Sequence, residues 1–229
     1  MKSNGVYFSF LGIMILLSIG FGIITRISYV QNANVDHYLN NADQYKVSID
    51  EDPQYIEIYF DNIIDNISEL EKKSDVIVRV KADVDRLNYM RAILTGTDVL
   101  DVYKGNDVKK GEHIYIFEPS NFFGSTYFVT GGYNIMNPGQ EYILFLKHLK
   151  IPEGYRYKGK EAVSFITIST YYGKYPATKV GTVSQINESI ADKKTITYNE
   201  VKYYDLITAN KDIIAKYYIL KDEVLLQMK

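Results

Sequence analysis

The chain has 229 residues, enough for one domain of ordinary size plus an anchor, or for two very small domains. Hydrophobic residues make up 46% of it, with 22 tyrosines and 10 phenylalanines among them, which is ample material for a core. The formal net charge of -2 gives no strong pull toward nucleic acid or anionic lipid, and the lack of cysteine excludes disulfides, thiolate catalysis, thiolate metal sites and lipid attachment at cysteine.

A short tail, residues 1–5, precedes "VYFSFLGIMILLSIGFGIIT", residues 6–25, a run of 20 residues without a charge. That is the length a helix needs to cross a hydrocarbon core of about 30 Å. Lys2 before it and Arg26 after it give a thin bias toward an inward N-terminus. The expectation is an uncleaved signal-anchor. A cleaved secretory signal is the alternative, although its apolar core is usually shorter and Gln31-Asn32-Ala33 is a poor small-x-small site. A buried core helix is the third reading. The first two put the rest of the chain outside the cytoplasm. All 28 Asp and Glu and 24 of the 26 Lys and Arg lie after Arg26, a net charge of -4 for that part, which argues against a general grip on DNA or RNA. The abundance of Lys, Ile, Asn and Tyr matches an AT-rich bacterial genome.

Residues 26–51 read as a polar spacer, Asn-rich at "QNANVDHYLNNADQ", with a short strand possible over 45–49. The body of the domain is expected over 52–176. Asp52 and Pro53 suit the start of a helix, and Phe60, Ile63, Ile64, Ile67 and Leu70 recur at helical spacing, so a helix is predicted over 61–72. The stretch "YIEIYF" before it fits a strand or a helix. β periodicity then takes over. "SDVIVRVKA" places Val76, Val78 and Val80 on one face and Arg79 and Lys81 on the other. "LNYMRAILTGTDVLDVYKG" reads as a long strand-like run with a bulge or bend at Gly96. "HIYIFEP" alternates, "EYILFLKHL" is apolar on both faces, and "EAVSFITIST" follows. At least five strands with short turns suggest a barrel or sandwich. In the tail, 177–229, "TITYNEVKYYDLI" reads as a further strand, and "NKDIIAKYYILKDEVLLQM" as a helix packed on the barrel with a possible break near Lys221.

The order of these pieces resembles bacterial domains of the netrin-like/TIMP-like group over residues 69–170. The resemblance is carried by Asp75 before the valine-rich strand, by Val99, Val102, Lys104 and Gly105 at a strand end, by Gly111 with Ile114 at a strand start, and by Gly139, Tyr142 and Leu144 to Leu146 in the next strand. It implies a mainly β, α+β fold: a five-stranded OB-type barrel with flanking helices after the transmembrane helix. It implies no catalytic residue. The animal members inhibit metalloproteases through a processed N-terminal cysteine, and this chain has none.

The connection "YKGNDVKKGEH" lacks the Gly-Lys-Ser/Thr of a phosphate-binding loop and leads into a strand, so it reads as a turn whose lysines solvate it. His37, His113 and His148 show no metal-ligand spacing. Asp61 and Asp65 read as the solvated face of a helix, and Asp83 and Asp85 lack the rest of a calcium loop. There is no Gly-x-Ser-x-Gly. No enzyme, cofactor or metal is expected. The remaining signal is aromatic: Tyr155, Tyr157, Tyr171, Tyr172 and Tyr175 lie near basic residues in "GYRYKGK" and "STYYGKYP", a candidate interaction surface. The expectation is a membrane-tethered, extracytoplasmic binding or scaffold module with an envelope protein as partner. The alternatives are an OB protein for single-stranded nucleic acid or glycan, and a protease-inhibitor-like protein.

Overall fold

A computed structural model describes residues 3–177 and 195–228. Lys2, part of the expected charge bias, lies outside them. The predicted apolar span is the first part of one helix, α1 (Ser3–Ala33). Its window Gly5–Ile27 has a mean hydropathy of 2.3 and no residue buried against the domain, so it is long and apolar enough to cross a membrane. At about 1.5 Å per residue those 23 residues span roughly 34 Å.

The barrel is built from β2 (Val76–Asn88), β3 (Ile93–Lys104), β4 (His113–Glu118), β7 (Glu141–His148) and β8 (Ser164–Thr167). The order around it is β2-β3-β4-β8-β7, and pairing of β2 with β7 closes it. All neighbours are antiparallel except β4 and β8, which run parallel. This is the five-stranded OB-type arrangement expected. The interior follows from alternation: Val76, Val78, Val80, Val99, Ile114, Ile116, Leu144 and Leu146 form one buried cluster. Arg79 points outward and pairs with Glu141 at 2.6 Å. The long run over 87–105 contains a turn at its start, and Gly96 sits where β2 bulges, between the pairs Ala82–Thr97 and Arg86–Thr95. A Cβ there would lie 2.7 Å from His113 Nε2 and 3.2 Å from the Asp85 carbonyl oxygen, so a larger residue would have to displace the His113 ring.

After β8 the chain leaves the barrel at residues 168–173 and returns as β9 (Lys174–Pro176), which pairs with the first half of β7. Asn62 holds this excursion, accepting from the Thr170 amide at 3.0 Å and the Ser169 hydroxyl at 2.6 Å. A second sheet joins β1 (Lys46–Asp50), parallel to β6 (Thr126–Thr130), which pairs with β5 (Ser120–Phe123).

Four expectations are corrected. The helix over 61–72 is shorter. Asp52 caps α3 (Pro53–Ile56) as predicted, but residues 60–66 are irregular and α4 (Ile67–Lys73) starts only at the Asn66 cap. Polar side chains capture the backbone there: Asp61 accepts from the Ile63 amide at 3.2 Å, and Asn66 from the Glu69 amide at 3.0 Å. Asp61 and Asp65 therefore do not share a helical face. Ile64 and Leu70 are nonetheless buried. The tail strand is instead a short helix, α5 (Tyr198–Val201), opened by a capping box from Thr197 and Glu200. The final helix, α6 (Lys211–Gln227), is unbroken, because Lys221 turns into the core and pairs with Asp205 at 2.7 Å. The segment read as a spacer is folded from residue 35 onward, where α2 (Val35–Leu39) begins. Val35, Tyr38, Ala42 and Tyr45 are buried with Phe122, Tyr127, Tyr198 and Ile207 in a cluster that takes only Ile93 from the barrel strands. Another cluster packs α4 and α6 on the outer face of the barrel through Ile77, Phe145, Tyr175, Tyr217 and Val224.

Between the barrel and the second sheet lies a buried polar network. Glu118 accepts from Tyr133 Oη at 3.1 Å, from the Met136 amide at 2.7 Å and from the Thr95 hydroxyl. Lys174 donates to the Asn134 carbonyl oxygen and lies over the Tyr133 ring. Burial lowers its pKa to about 8.

Candidate functional site

The β3–β4 connection is a turn, as expected, but its lysines do more than solvate it. Lys104 Nζ donates to the Glu71 and Ser74 carbonyl oxygens, 2.7 and 2.6 Å away, and so satisfies the C-terminal end of α4. Asp107 in the same turn meets His148 Nε2 at 2.6 Å, while Asp75 meets Nδ1 at 3.1 Å. With a carboxylate on each ring nitrogen, the bond to Asp107 above all and the one to Asp75 hold the imidazolium and raise the His148 pKa. Burial works against ionisation of Asp75, but hydrogen bonds from the His148 amide and ring outweigh it and keep its pKa low. His113 is likewise held by Asp98, at 2.7 Å.

The five tyrosines do not form one surface. Tyr172 and Tyr175 are buried in the cluster under α6, where Tyr175 stacks on Tyr217 with centroids 5.1 Å apart. Tyr171 is half-buried on the excursion after β8. Burial pushes the Tyr171 and Tyr172 hydroxyls up to about 12. Tyr155 and Tyr157 lie together in the β7–β8 connection, their rings 5.3 Å apart. Tyr155 donates to Glu161 at 2.8 Å and Tyr157 to the Lys150 carbonyl oxygen at 2.8 Å, so the pair braces that loop.

Tyr157 also borders a trough on the outside of the barrel. Two adjoining hollows of about 330 and 240 Å³ share Tyr59, Phe117 and Ile166. Phe117 and Ile166 form the floor, facing each other across the parallel β4–β8 pair. The reason is alternation: β4 sends Ile114 and Ile116 inward, so His113, Tyr115 and Phe117 point out. The β7–β8 connection supplies Lys150, Tyr157 and Glu161 to one end, and Lys147 and His148 stand beside them. The turn between β2 and β3 supplies Arg91 and Ala92 to the other. Burial and the neighbouring Lys150 lower the Lys147 pKa, so that end carries a partly desolvated cation. Beyond the floor, Lys160 bonds Asp85 at 2.6 Å and sits 4.6 Å from the Tyr115 centroid, fixing the loop against β4.

The trough thus lies across the third and fifth barrel strands, between the first and fourth connections, and shares those two connections, though not the second strand, with the face on which OB barrels take ligands. It gathers an apolar floor, an aromatic wall and a charged rim in which Lys147, Lys150 and Arg91 stand with Asp50 and Glu161, a composition suited to binding. Tyr157 is the one expected residue it includes. Tyr59, Phe117, Ile166 and Arg91 were not singled out in the sequence. The outward Phe117 is the signal that marks the site, since an aromatic on the solvent face of an alternating strand calls for a cover. Among the described residues no group of three or more His, Asp and Glu is placed to hold a metal ion. Compared with known proteins, the chain matches no family model and no curated protein.

Proposed function

We propose that the chain is a membrane-tethered, extracytoplasmic binding module of a bacterial cell envelope, acting by recognition and not by catalysis. The observation that carries this reading is the Phe117–Ile166 trough, set between the first and fourth connections of a barrel whose chain also bears an apolar helix of membrane-spanning length. Its partner is a protein segment that presents an apolar side chain to Phe117 and Ile166 and carboxylates to Lys147, Lys150 and Arg91. Kinship with the netrin-like/TIMP-like group is part of the same proposal, supported by the strand and turn pattern together with the barrel order. Recognition without chemistry is supported by the state of the rim: both nitrogens of His148 and the hydroxyl of Tyr157 are engaged in hydrogen bonds. If α1 is cleaved, the same module is secreted.

The test is photo-crosslinking in the full-length, membrane-embedded protein from Tyr59 and Tyr157, with Ile219 on α6 as the remote position. One recurrent protein captured at the first two, and lost with Ile166→Asp, is expected. The same captures at all three positions, or none at Tyr59 and Tyr157, would rule the trough out.

A second reading, single-stranded nucleic acid or glycan, is favoured by the mixture of Tyr59, Phe117 and Tyr157 with Lys147 and Lys150. The net charge of -4 weighs against the nucleic acid. Binding of a labelled oligonucleotide that weakens with salt would support the nucleic acid, and no binding at low salt would end that half of the reading.

A further inference from the structure

The largest exposed apolar side chains of the domain include two at the tips of adjacent hairpins. Met90, in the turn between β2 and β3, is 80% exposed, and Phe123, at the turn between β5 and β6, is 64% exposed. Tyr89 is exposed beside Met90. Leaving such side chains in water forgoes the gain from burying them, so their clustering asks for a partner.

Their position indicates which one. Ala33, the last residue of α1, lines the same hollow as Met90 and Phe123. The tips are tied to that helix end: Asn34 bridges Leu87 in β2, and the Asn88 side chain exchanges two hydrogen bonds with the Phe122 backbone across the hairpins. The apolar window of α1 ends at Ile27. The remaining turns to Ala33 advance the chain by only about 9 Å, while the headgroup layer is roughly 5–8 Å deep on each side. A spanning α1 therefore ends within a few ångströms of the outer edge of the headgroups, within side-chain reach for tips that share a hollow with Ala33. Arg26 and the exposed Arg91 flank this level, as basic residues at a membrane boundary do.

We infer that the two hairpin tips form a membrane-docking surface, with Met90, Phe123 and Tyr89 seated in the headgroup layer of the leaflet from which α1 emerges. The domain then stands in a fixed attitude on the bilayer. The inference rests on α1 spanning the membrane, but not on any partner for the trough.

The chain has no tryptophan, so single tryptophans give clean reporters. Met90→Trp, Phe123→Trp, Leu16→Trp in the middle of α1 and Leu226→Trp on α6 would each be placed in the full chain in nanodiscs, with and without brominated lipid. Leu16→Trp reports the span itself and is expected to be strongly quenched. Leu226→Trp, exposed on the far cluster, is expected to be red-emitting and unquenched. Met90→Trp and Phe123→Trp are expected to emit to the blue of Leu226→Trp and to be quenched by bromine to an intermediate degree. Tip emission that matches Leu226→Trp while Leu16→Trp is quenched would overturn the docking and leave the span intact. Blue-shifted tips that bromine does not quench would also overturn it, assigning the surface to protein, such as a second copy. An unquenched Leu16→Trp would remove the premise and the inference with it.

Discussion

Asn88 bonds the backbone of Phe122 twice, its Nδ2 donating to the carbonyl oxygen at 2.8 Å and its Oδ1 accepting from the amide at 2.9 Å. One side chain thus stands in for a pair of ladder bonds between two hairpins that belong to different sheets. Asn88→Ala leaves both backbone groups of Phe122 short of a partner, and the expected loss of stability is about 1–3 kcal/mol by urea denaturation. Asn88→Asp keeps the acceptor but turns a carboxylate oxygen on the Phe122 carbonyl oxygen, so its loss should be at least as large above the carboxylate pKa and should ease as the carboxyl is protonated. Equal stability of Asn88→Ala and the parent chain would show that the hairpins are held by packing alone.

His148 gives a pH dependence of defined sign. Its folded pKa is raised, so its contribution to stability is fully present below the unfolded value of about 6.5 and is lost as pH rises through the folded value. Asp75, held low, contributes above about 3.9 and loses that contribution as pH falls through its folded value. Because the imidazole is half exposed, the effect should be about 0.2–1 kcal/mol. Melting temperatures of the parent and His148→Gln, measured from about pH 5 to about pH 9, should converge at the alkaline end. A constant difference across the range would assign the cost to packing.

Lys174 acts the other way. Its folded pKa of about 8 lies below the unfolded value of about 10.4, so the unfolded chain binds more protons between them and stability rises with pH there, by up to about 1.4 kcal/mol per pH unit. Buried tyrosines, Tyr142 with a pKa of about 12 among them, reverse the trend above about pH 10, where only the unfolded chain ionises. Lys174→Met should flatten the rise and keep the alkaline fall. A rise that persists in Lys174→Met would place its origin elsewhere.

Gly131 and Gly124 form a controlled pair. Both have left-handed backbones, with φ of +54° and +57°. A Cβ at Gly124 meets open space, whereas at Gly131 it would lie 2.2 Å from Thr170 Oγ1. Gly124→Ala should cost about 1–2 kcal/mol for the backbone alone. Gly131→Ala should cost more, and the excess reads the contact that seats the excursion after β8. Equal midpoints in urea would show that Thr170 gives way freely.

The barrel was legible because its strands report themselves. Val76, Val78 and Val80 alternate with outward residues, and the unbroken apolar run at 142–146 marks the strand enclosed on both faces. The helix over 61–72 misled because spacing records which residues are buried and not how the backbone gets them there. Ile64 and Leu70 do reach the core, but Asp61 and Asn66 take the amide bonds that a continuous helix needs. The tyrosines misled for a related reason. Residues 155–157 and 171–175 are neighbours in sequence, yet β8 lies between them and the chain turns Tyr172 and Tyr175 under α6. The trough was hidden because Tyr59, Arg91, Phe117 and Ile166 come from four separate stretches, and only barrel closure brings them together.

The cluster nearest α1 joins the two extremes of the domain. Val35, Tyr38 and Tyr45 pack against Tyr198, Val201 and Ile207, and Lys46 bridges Thr197. In a chain made from its N-terminus, the first folded segment beyond the helix must therefore wait for nearly the last. Ribosomal synthesis supplies about 5–20 residues per second, so the delay from Tyr45 to Ile207 is on the order of 10–30 s. With α1 held in a bilayer, these aromatics would wait beside the lipid surface during that interval. They need shelter until the tail arrives, and a stop codon anywhere before Thr197 makes that exposure permanent.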